Sequence, residues 1–238
     1  MLMQNPIIVA LDVSEMEAAW RLVRQLAPVV GAFKIGSELF TAAGPEVVRR
    51  IRETGAAVFL DLKFHDIPNT VAKAVAAAVR LDVQMLTVHT SGGPAMLEAA
   101  EGAAQETARL LGKAAPLILG VTVLTSMDGD DLSAIGLEAN VARQVERLAN
   151  LAVKAGLRGL VCSPLEVAAL RQIVPSAFQL VTPGIRLESA ATDDQKRTLS
   201  AAEACAAGAN WLVIGRPIYA ADNPRAAAES VLASLFFC

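Results

Sequence analysis

The sequence predicts an α/β protein, a single (β/α)8 TIM barrel forming one catalytic domain over residues 1–238. Three observations carry that prediction. Eight strand-like apolar runs alternate with helix-like segments at nearly even spacing. Runs such as Ile7-Ile8-Val9-Ala10-Leu11 are apolar without alternation, the pattern of a strand covered on both faces, as in parallel sheets. No linker or low-complexity segment interrupts the repeat, and 238 residues suffice to bury one large core. A doubly wound sheet is the alternative, but its Gly-x-Gly-x-x-Gly fingerprint does not follow the first strand.

Composition narrows the class of function. Hydrophobic residues make up 54% and charged residues 19%, so the interior is large and the surface modest. A formal charge of −3 gives no reason to expect nucleic acid or an anionic membrane as partner. The mean hydropathy of +0.45 raises the membrane question. Yet no apolar run reaches the ~18 residues that a span requires. The opening Met-Leu-Met-Gln-Asn-Pro has no basic region and leads straight into a strand, which predicts no signal peptide. Cys162, Cys205 and Cys238 are odd in number and lack metal-ligand spacing, so they read as reduced thiols of a cytoplasmic protein. Cys162 lies at a strand end without a basic neighbour in sequence and reads as packing.

The elements follow in order. The first strand, residues 7–11, ends in Asp12; Ser14 then caps a helix, with Glu17 completing a capping box and Ala18, Leu22, Val23 and Leu26 forming its apolar stripe. The second strand, residues 32–36, carries Lys34, which is costly in an apolar strand unless paired. A helix over residues 37–53 has a break at Gly44-Pro45. The third strand, residues 58–62, ends in charge, with Asp61, Lys63 and Asp66 inside six positions. Alternation along a strand puts Asp61 and Lys63 on one face, Leu60 and Leu62 on the other. Pro68-Asn69 punctuates the turn, and an Ala/Val-rich helix begins near Thr70. The fourth strand is 85–89, followed by Ser91-Gly92-Gly93-Pro94 and a helix over 95–111. The fifth is 117–122, running on to Leu124-Thr125-Ser126-Met127, a polar segment and a helix over 138–155. The sixth strand, 160–162, precedes a helix over 165–173. The seventh, 179–181, ends in Thr182-Pro183-Gly184-Ile185-Arg186 and opens into a polar loop, 187–199. A short helix over 200–207, an eighth strand at 211–214 and a final helix over 224–236 complete the chain.

In such a barrel the C-terminal strand ends face the active site. Here they carry Asp12, Lys34, Asp61, Lys63, His89, Thr125, Ser126, Arg186, Gly215 and Arg216, whereas the opposite rim is expected to be less consistently charged. Asp12, Lys34, Asp61 and Lys63 form an alternating series of carboxylates and ammoniums on adjacent strands, and each charge lowers the desolvation cost of its neighbour. One Asp-x-Lys alone is as readily a solvated ion pair; four such groups at matching strand ends are not. Gly215-Arg216 follows the eighth strand, where barrels of this kind bind phosphate. Glycine lets a backbone N–H approach an anion, and arginine offers a fork for its oxygens. Arg186 and Gln195, on the loop after the seventh strand, can complete that grip. His65 and His89 lack metal-ligand spacing and read as structural, hydrogen-bonded residues.

These residues resemble the orotidine 5′-phosphate decarboxylase family in its bacterial form. The likeness rests on Ala-Leu-Asp12, Phe-Lys34-Ile-Gly, Asp61-Leu-Lys63-Phe-His-Asp66-Ile-Pro-Asn-Thr70, Val-His-Thr-Ser-Gly-Gly, Val-Thr-Val-Leu-Thr125-Ser-Met, Thr-Pro-Gly-Ile-Arg186 and Ile-Gly-Arg216-Pro-Ile, and it covers nearly the whole chain. Asp-x-Lys-x-x-Asp alone is shared with a wider group of barrels; His-Asp-Ile-Pro-Asn-Thr together with Gly-Arg-Pro-Ile is far more specific. The resemblance implies decarboxylation of orotidine 5′-monophosphate to UMP, with no cofactor and no metal. It implies that Lys63 donates the proton to C6 and that Asp61 lies beside the departing carboxylate. Asp66, with Ile67 and Thr70, is implied to come from the other subunit of a homodimer. Asp12 and Lys34 are implied to hold the ribose hydroxyls, Thr125 and Ser126 to face the pyrimidine with Pro183 in the same site, and Arg186, Gln195, Gly215 and Arg216 to hold the phosphate.

Three rivals share parts of the pattern. Metal-dependent sugar-phosphate enzymes of the wider barrel group share Asp-x-Lys-x-x-Asp and the phosphate loop, but Lys34 and the Pro-Asn-Thr run argue against them. A Schiff-base aldolase would use Lys34 or Lys63. A nucleotide-binding barrel without turnover has no use for a buried ammonium flanked by carboxylates.

Overall fold

The computed structural model describes residues 5–186 and 198–235. Strand β1 (Ile7–Ala10), helix α1 (Met16–Leu26), strand β2 (Ala32–Gly36), helices α2 (Ser37–Ala43) and α3 (Glu46–Arg52) and strand β3 (Ala57–Phe64) open the chain. Helix α4 (Pro68–Arg80), β4 (Met85–His89), α5 (Pro94–Leu110), β5 (Leu117–Val121), α6 (Gly129–Ala134), α7 (Val141–Lys154), β6 (Gly159–Val161), α8 (Val167–Arg171) and β7 (Gln179–Thr182) follow. The two-residue strands β8 (Ile185–Arg186) and β9 (Leu199–Ser200) pair with each other, and α9 (Ala201–Ala206), β10 (Trp211–Ile214), α10 (Arg216–Tyr219) and α11 (Pro224–Ser234) end the fold. The eight long strands close a parallel barrel in the order β1-β10-β7-β6-β5-β4-β3-β2.

Closure explains the unbroken apolar runs. Ile8, Ala10, Ala32, Phe59, Met85, Leu119, Val181, Trp211 and Val213 fill the barrel interior. The alternate positions, among them Ile7, Val9, Phe33, Ile35, Leu60, Leu86 and Val88, are buried beneath the helices. Both faces of each strand therefore leave water, and each large side chain so buried contributes roughly 1.5–3 kcal/mol. At the start of β2 a side chain on Gly31 would strike the carbonyl of Asn5. Asn5 itself clips β1 to the loop between α1 and β2, accepting from the Ile7 N–H at 3.0 Å and donating to the Val29 carbonyl at 2.9 Å.

Several local expectations are corrected. The Ser14–Glu17 capping box does not form: Glu15 is the N-cap of α1, without a side-chain cap. Glu17 is drawn instead to Arg50 of α3 at 2.6 Å, and that guanidinium lies 4.5 Å over Trp20. The helix expected over 37–53 is indeed broken at Gly44-Pro45, with Gly44 at φ 63. The polar segment after β5 contains α6, which Asp128 caps by accepting from the Asp130 and Asp131 N–H groups. The opposite rim of the barrel is also charged. There Asp82 pairs with Arg52 at 2.8 Å and Lys113 at 2.9 Å, tying together the loops that lead into β3, β4 and β5. Of the polar loop 187–199, residues 187–197, including Gln195, lie outside the described residues.

Candidate active site

The inward positions near the C-terminal ends of β1, β2 and β3 carry the charge series. Lys34 Nζ lies 3.0 Å from Asp12 Oδ1 and 3.8 Å from Asp61 Oδ2. Lys63 Nζ donates to both oxygens of Asp61 at 2.9 Å. The Lys34 and Asp61 side chains are only 12% and 13% exposed, so these charges are held by one another more than by water. Each ammonium in the series touches a carboxylate, which is the condition under which a lysine is tolerated inside an apolar barrel.

The strand carrying Lys63 is irregular. Leu60 pairs with Leu86 and Phe64 with Val88, so four residues of β3 span two of β4. Lys63 sits in this bulge at φ 50, a left-handed conformation that is uncommon for a residue with a side chain. Its N–H donates to the Thr87 hydroxyl at 2.8 Å, and that hydroxyl donates to Asp61 Oδ1 at 3.0 Å. His65 and His89 face each other with ring centroids 5.5 Å apart. Among the described residues neither imidazole has a hydrogen-bond partner, contrary to expectation. Burial, followed by the neighbouring His65 and Lys63, pushes the His89 pKa below its usual value, with Asp61 opposing.

A cavity of about 560 Å³ opens above the barrel. Asp12, Lys34, Asp61 and Lys63 line it from β1–β3, and Arg186, Gly215 and Arg216 line it from the strand ends beyond β1 in the opposite direction. Thr125, Pro183, Val121, Val123 and Ile185 also line it. A Cβ on Gly215 would make ordinary contacts, 3.5 Å from the Tyr219 ring and 3.6 Å from Asp12 Oδ2, so this wall packs directly on the start of the charge series. The structure thus gathers nine of the expected residues around one space of nucleotide size. Ser126 is exposed and does not line it. Asp66, Ile67 and Thr70 do not line it either: residues 65–70 are all exposed, Ile67 at 66%. Asp66 Oδ1 accepts the Ile67 N–H at 2.6 Å at the entrance to α4. Among the described residues no group of three or more His, Cys, Asp or Glu side chains is placed to hold a metal ion.

The match to known proteins is decisive: residues 5–231 fit the family described as orotidine 5′-phosphate decarboxylase / HUMPS. The chain belongs to that family. It is 52% identical over 233 residues to the orotidine 5′-phosphate decarboxylase of Moorella thermoacetica, covering 98% of this chain and 92% of that one. It is also 52% identical over 232 residues to the enzyme of that name from Pseudomonas fluorescens, covering 98% of each. Among solved structures, orotidine 5′-phosphate decarboxylase from Lactobacillus acidophilus superposes with a TM-score of 0.87 at 36% identity, over 97% of this chain and 99% of that one. The enzyme of that name from Pyrococcus horikoshii OT3, at 24% identity and a TM-score of 0.76, shares the fold.

In this member of the orotidine 5′-phosphate decarboxylase / HUMPS family the cavity has lining residues that the sequence reading passed over. Phe59 lies two positions before Asp61, so alternation along β3 already aimed it inward. Cys162 is 1% exposed, as packing requires, but it also lines the cavity. Val161 and Val213 are inward positions of β6 and β10 that read as ordinary core.

Proposed function

We propose that this chain decarboxylates orotidine 5′-monophosphate, releasing CO2 and leaving UMP, as a step in forming UMP, without metal or organic cofactor. The observation that carries the reading is the Lys63 ammonium held 2.9 Å from both Asp61 oxygens at the wall of the cavity. Full-length relatives that bear the name of this activity support it. When the C6–carboxylate bond breaks, its electron pair stays on C6, where no conjugated group can take it. Stabilisation is then electrostatic, and a fixed cation beside C6 is the group that provides it. Lys63 next transfers one proton to C6, giving UMP, and the amine recovers its proton from water. Asp61 orients that ammonium and adds repulsion toward the substrate carboxylate, which the loss of CO2 relieves.

Lys34 and Asp12 bind the ribose hydroxyls and extend the charge series. Thr125 and Pro183 bound the base. Arg186, Gly215 and Arg216, with Gln195, grip the phosphate, and that remote grip positions C6 over Lys63. Asp66, Ile67 and Thr70 act in the site of a second copy in a homodimer; their exposure in the single chain supports this reading. The partners are the nucleotide and a second copy, with neither nucleic acid nor membrane, and the setting is the cytoplasm. No helix among the described residues is long and apolar enough to cross a membrane.

The test is the ultraviolet absorbance of orotidine 5′-monophosphate incubated with purified protein in EDTA. Loss of the orotate band with formation of UMP and CO2 is expected. An unchanged spectrum from folded protein sinks the proposal and shifts the reading to a metal-dependent sugar-phosphate enzyme, assayed next with Mg2+.

A further inference from the structure

We infer that Thr87, from the middle of β4, is a positioning residue for the reaction, setting both the backbone of Lys63 and the carboxylate of Asp61; this rests on the decarboxylase reading above. Thr87 is 0% exposed, in a strand whose other inward side chains are Met85 and His89. A hydroxyl has one proton to give and lone pairs to accept with. The Lys63 N–H can only donate, so the hydroxyl accepts there, at 2.8 Å. The Asp61 carboxylate can only accept, so the hydroxyl proton points to its Oδ1, at 3.0 Å. The direction of both bonds is therefore fixed by the partners.

Their location gives them consequence. The bulge between Leu60 and Phe64 interrupts the regular pairing of β3 with β4 at Lys63. The Thr87 hydroxyl takes the N–H that the interruption releases, and so holds Lys63 at φ 50. That conformation aims the side chain back along β3 at Asp61, whose rotation the same hydroxyl stops. One buried side chain from the neighbouring strand thereby fixes the separation of donor and orienting carboxylate. A shift of about 1 Å in such a pair costs on the order of 100-fold in rate.

The test compares Thr87→Val, which keeps the shape and removes the hydroxyl, with Thr87→Ser, which keeps the hydroxyl. Thr87→Val is expected to lower kcat by about 10- to 100-fold with KM within about threefold of wild type, because the phosphate grip lies elsewhere. Thr87→Ser is expected to recover kcat to within about threefold. Equal kcat for Thr87→Val and wild type overturns the inference. So does a loss that Thr87→Ser fails to rescue, or one confined to KM. If Thr87→Val loses its native circular dichroism, Thr87→Ala takes its place under the same criteria. If wild-type protein leaves orotidine 5′-monophosphate unchanged, the decarboxylase reading fails instead. Amide hydrogen exchange at Lys63 then judges the clamp: faster exchange in Thr87→Val and restored protection in Thr87→Ser support it, and unchanged exchange overturns it.

Discussion

Lys63 combines two unusual properties, a left-handed backbone and an ammonium held against both oxygens of a largely buried carboxylate. Lys63→Ala removes the cation and the proton donor together. Turnover is expected to fall by at least about 1,000-fold. UMP binding, read by calorimetry, should stay within about tenfold, because the residues proposed for the phosphate are untouched. Near-normal activity in Lys63→Ala would remove lysine from the role of donor. The neighbouring His89 makes a prediction about pH. Its folded-state pKa lies below the usual histidine value of 6.5, so the unfolded chain takes up the proton first as pH falls. Stability is therefore complete above about pH 6.5 and declines as the pH drops through that value toward the lower folded one. Urea unfolding at successive pH values should show this decline, reduced in His89→Gln; an equal slope in both proteins would place its origin elsewhere.

The charged residues were legible at this scale because their chemistry is rare in apolar strands. Lys34 within Phe-Lys-Ile-Gly and Asp61-Leu-Lys63 have no cheap apolar explanation. Thr87 was not legible, because a threonine between Leu86 and Val88 reads as an ordinary β-branched strand residue. Ser126 reads as the equal of Thr125 in sequence, but the turn after β5 exposes it and leaves it outside the cavity lining.

Among the elements, strand positions were the most legible and helix starts the least. Continuous apolar runs can serve only as buried strands here, and all eight expected ones joined the barrel. The Ser14 capping box failed because Glu17 has a better partner in Arg50, more than thirty positions away and invisible to a local rule. Strand β3 runs to Phe64, beyond the expected Leu62, because the bulge lets pairing with β4 resume after Lys63. Asp82, at φ 64, makes a prediction for the rim opposite the site. Asparagine tolerates that backbone, so Asp82→Asn isolates the loss of charge. The Lys113 and Arg52 cations hold the Asp82 carboxyl below its usual value of 3.8, so its contribution is present at neutral pH and lost on acidification through that range. Asp82→Asn should lose about 1 kcal/mol at pH 7, seen as a lower urea midpoint at unchanged slope, with kcat unaltered. A midpoint equal to wild type would make the cluster decorative.

For the molecule as a whole, the two rims divide the work. Ion pairs at one rim tie loops together, while those at the other face a cavity. The fold was readable from the repeat alone, but a shared site was not, since nothing in one chain's pattern says which surface a second copy covers. The proposal that Asp66 serves a partner's site is tested by mixing inactive variants. Lys63→Ala and Asp66→Ala subunits, unfolded and refolded together, form mixed dimers with one site intact in both positions. Random pairing predicts recovery of about a quarter of wild-type activity. If Asp66 serves its own chain, the mixture stays inactive.

The left-handed backbone at residue 63 also bears on how such a chain drifts. Glycine is at ease at φ 50, whereas lysine there costs on the order of 1 kcal/mol. Lys63→Gly would relieve that backbone cost but leave the Asp61 carboxylate to Lys34 and Thr87, so a lineage released from the need for activity has a backbone reason to lose Lys63 and an electrostatic reason to keep it. Retention of lysine at this position across descendants would be a signature of selection on its charge, separable from selection on the backbone.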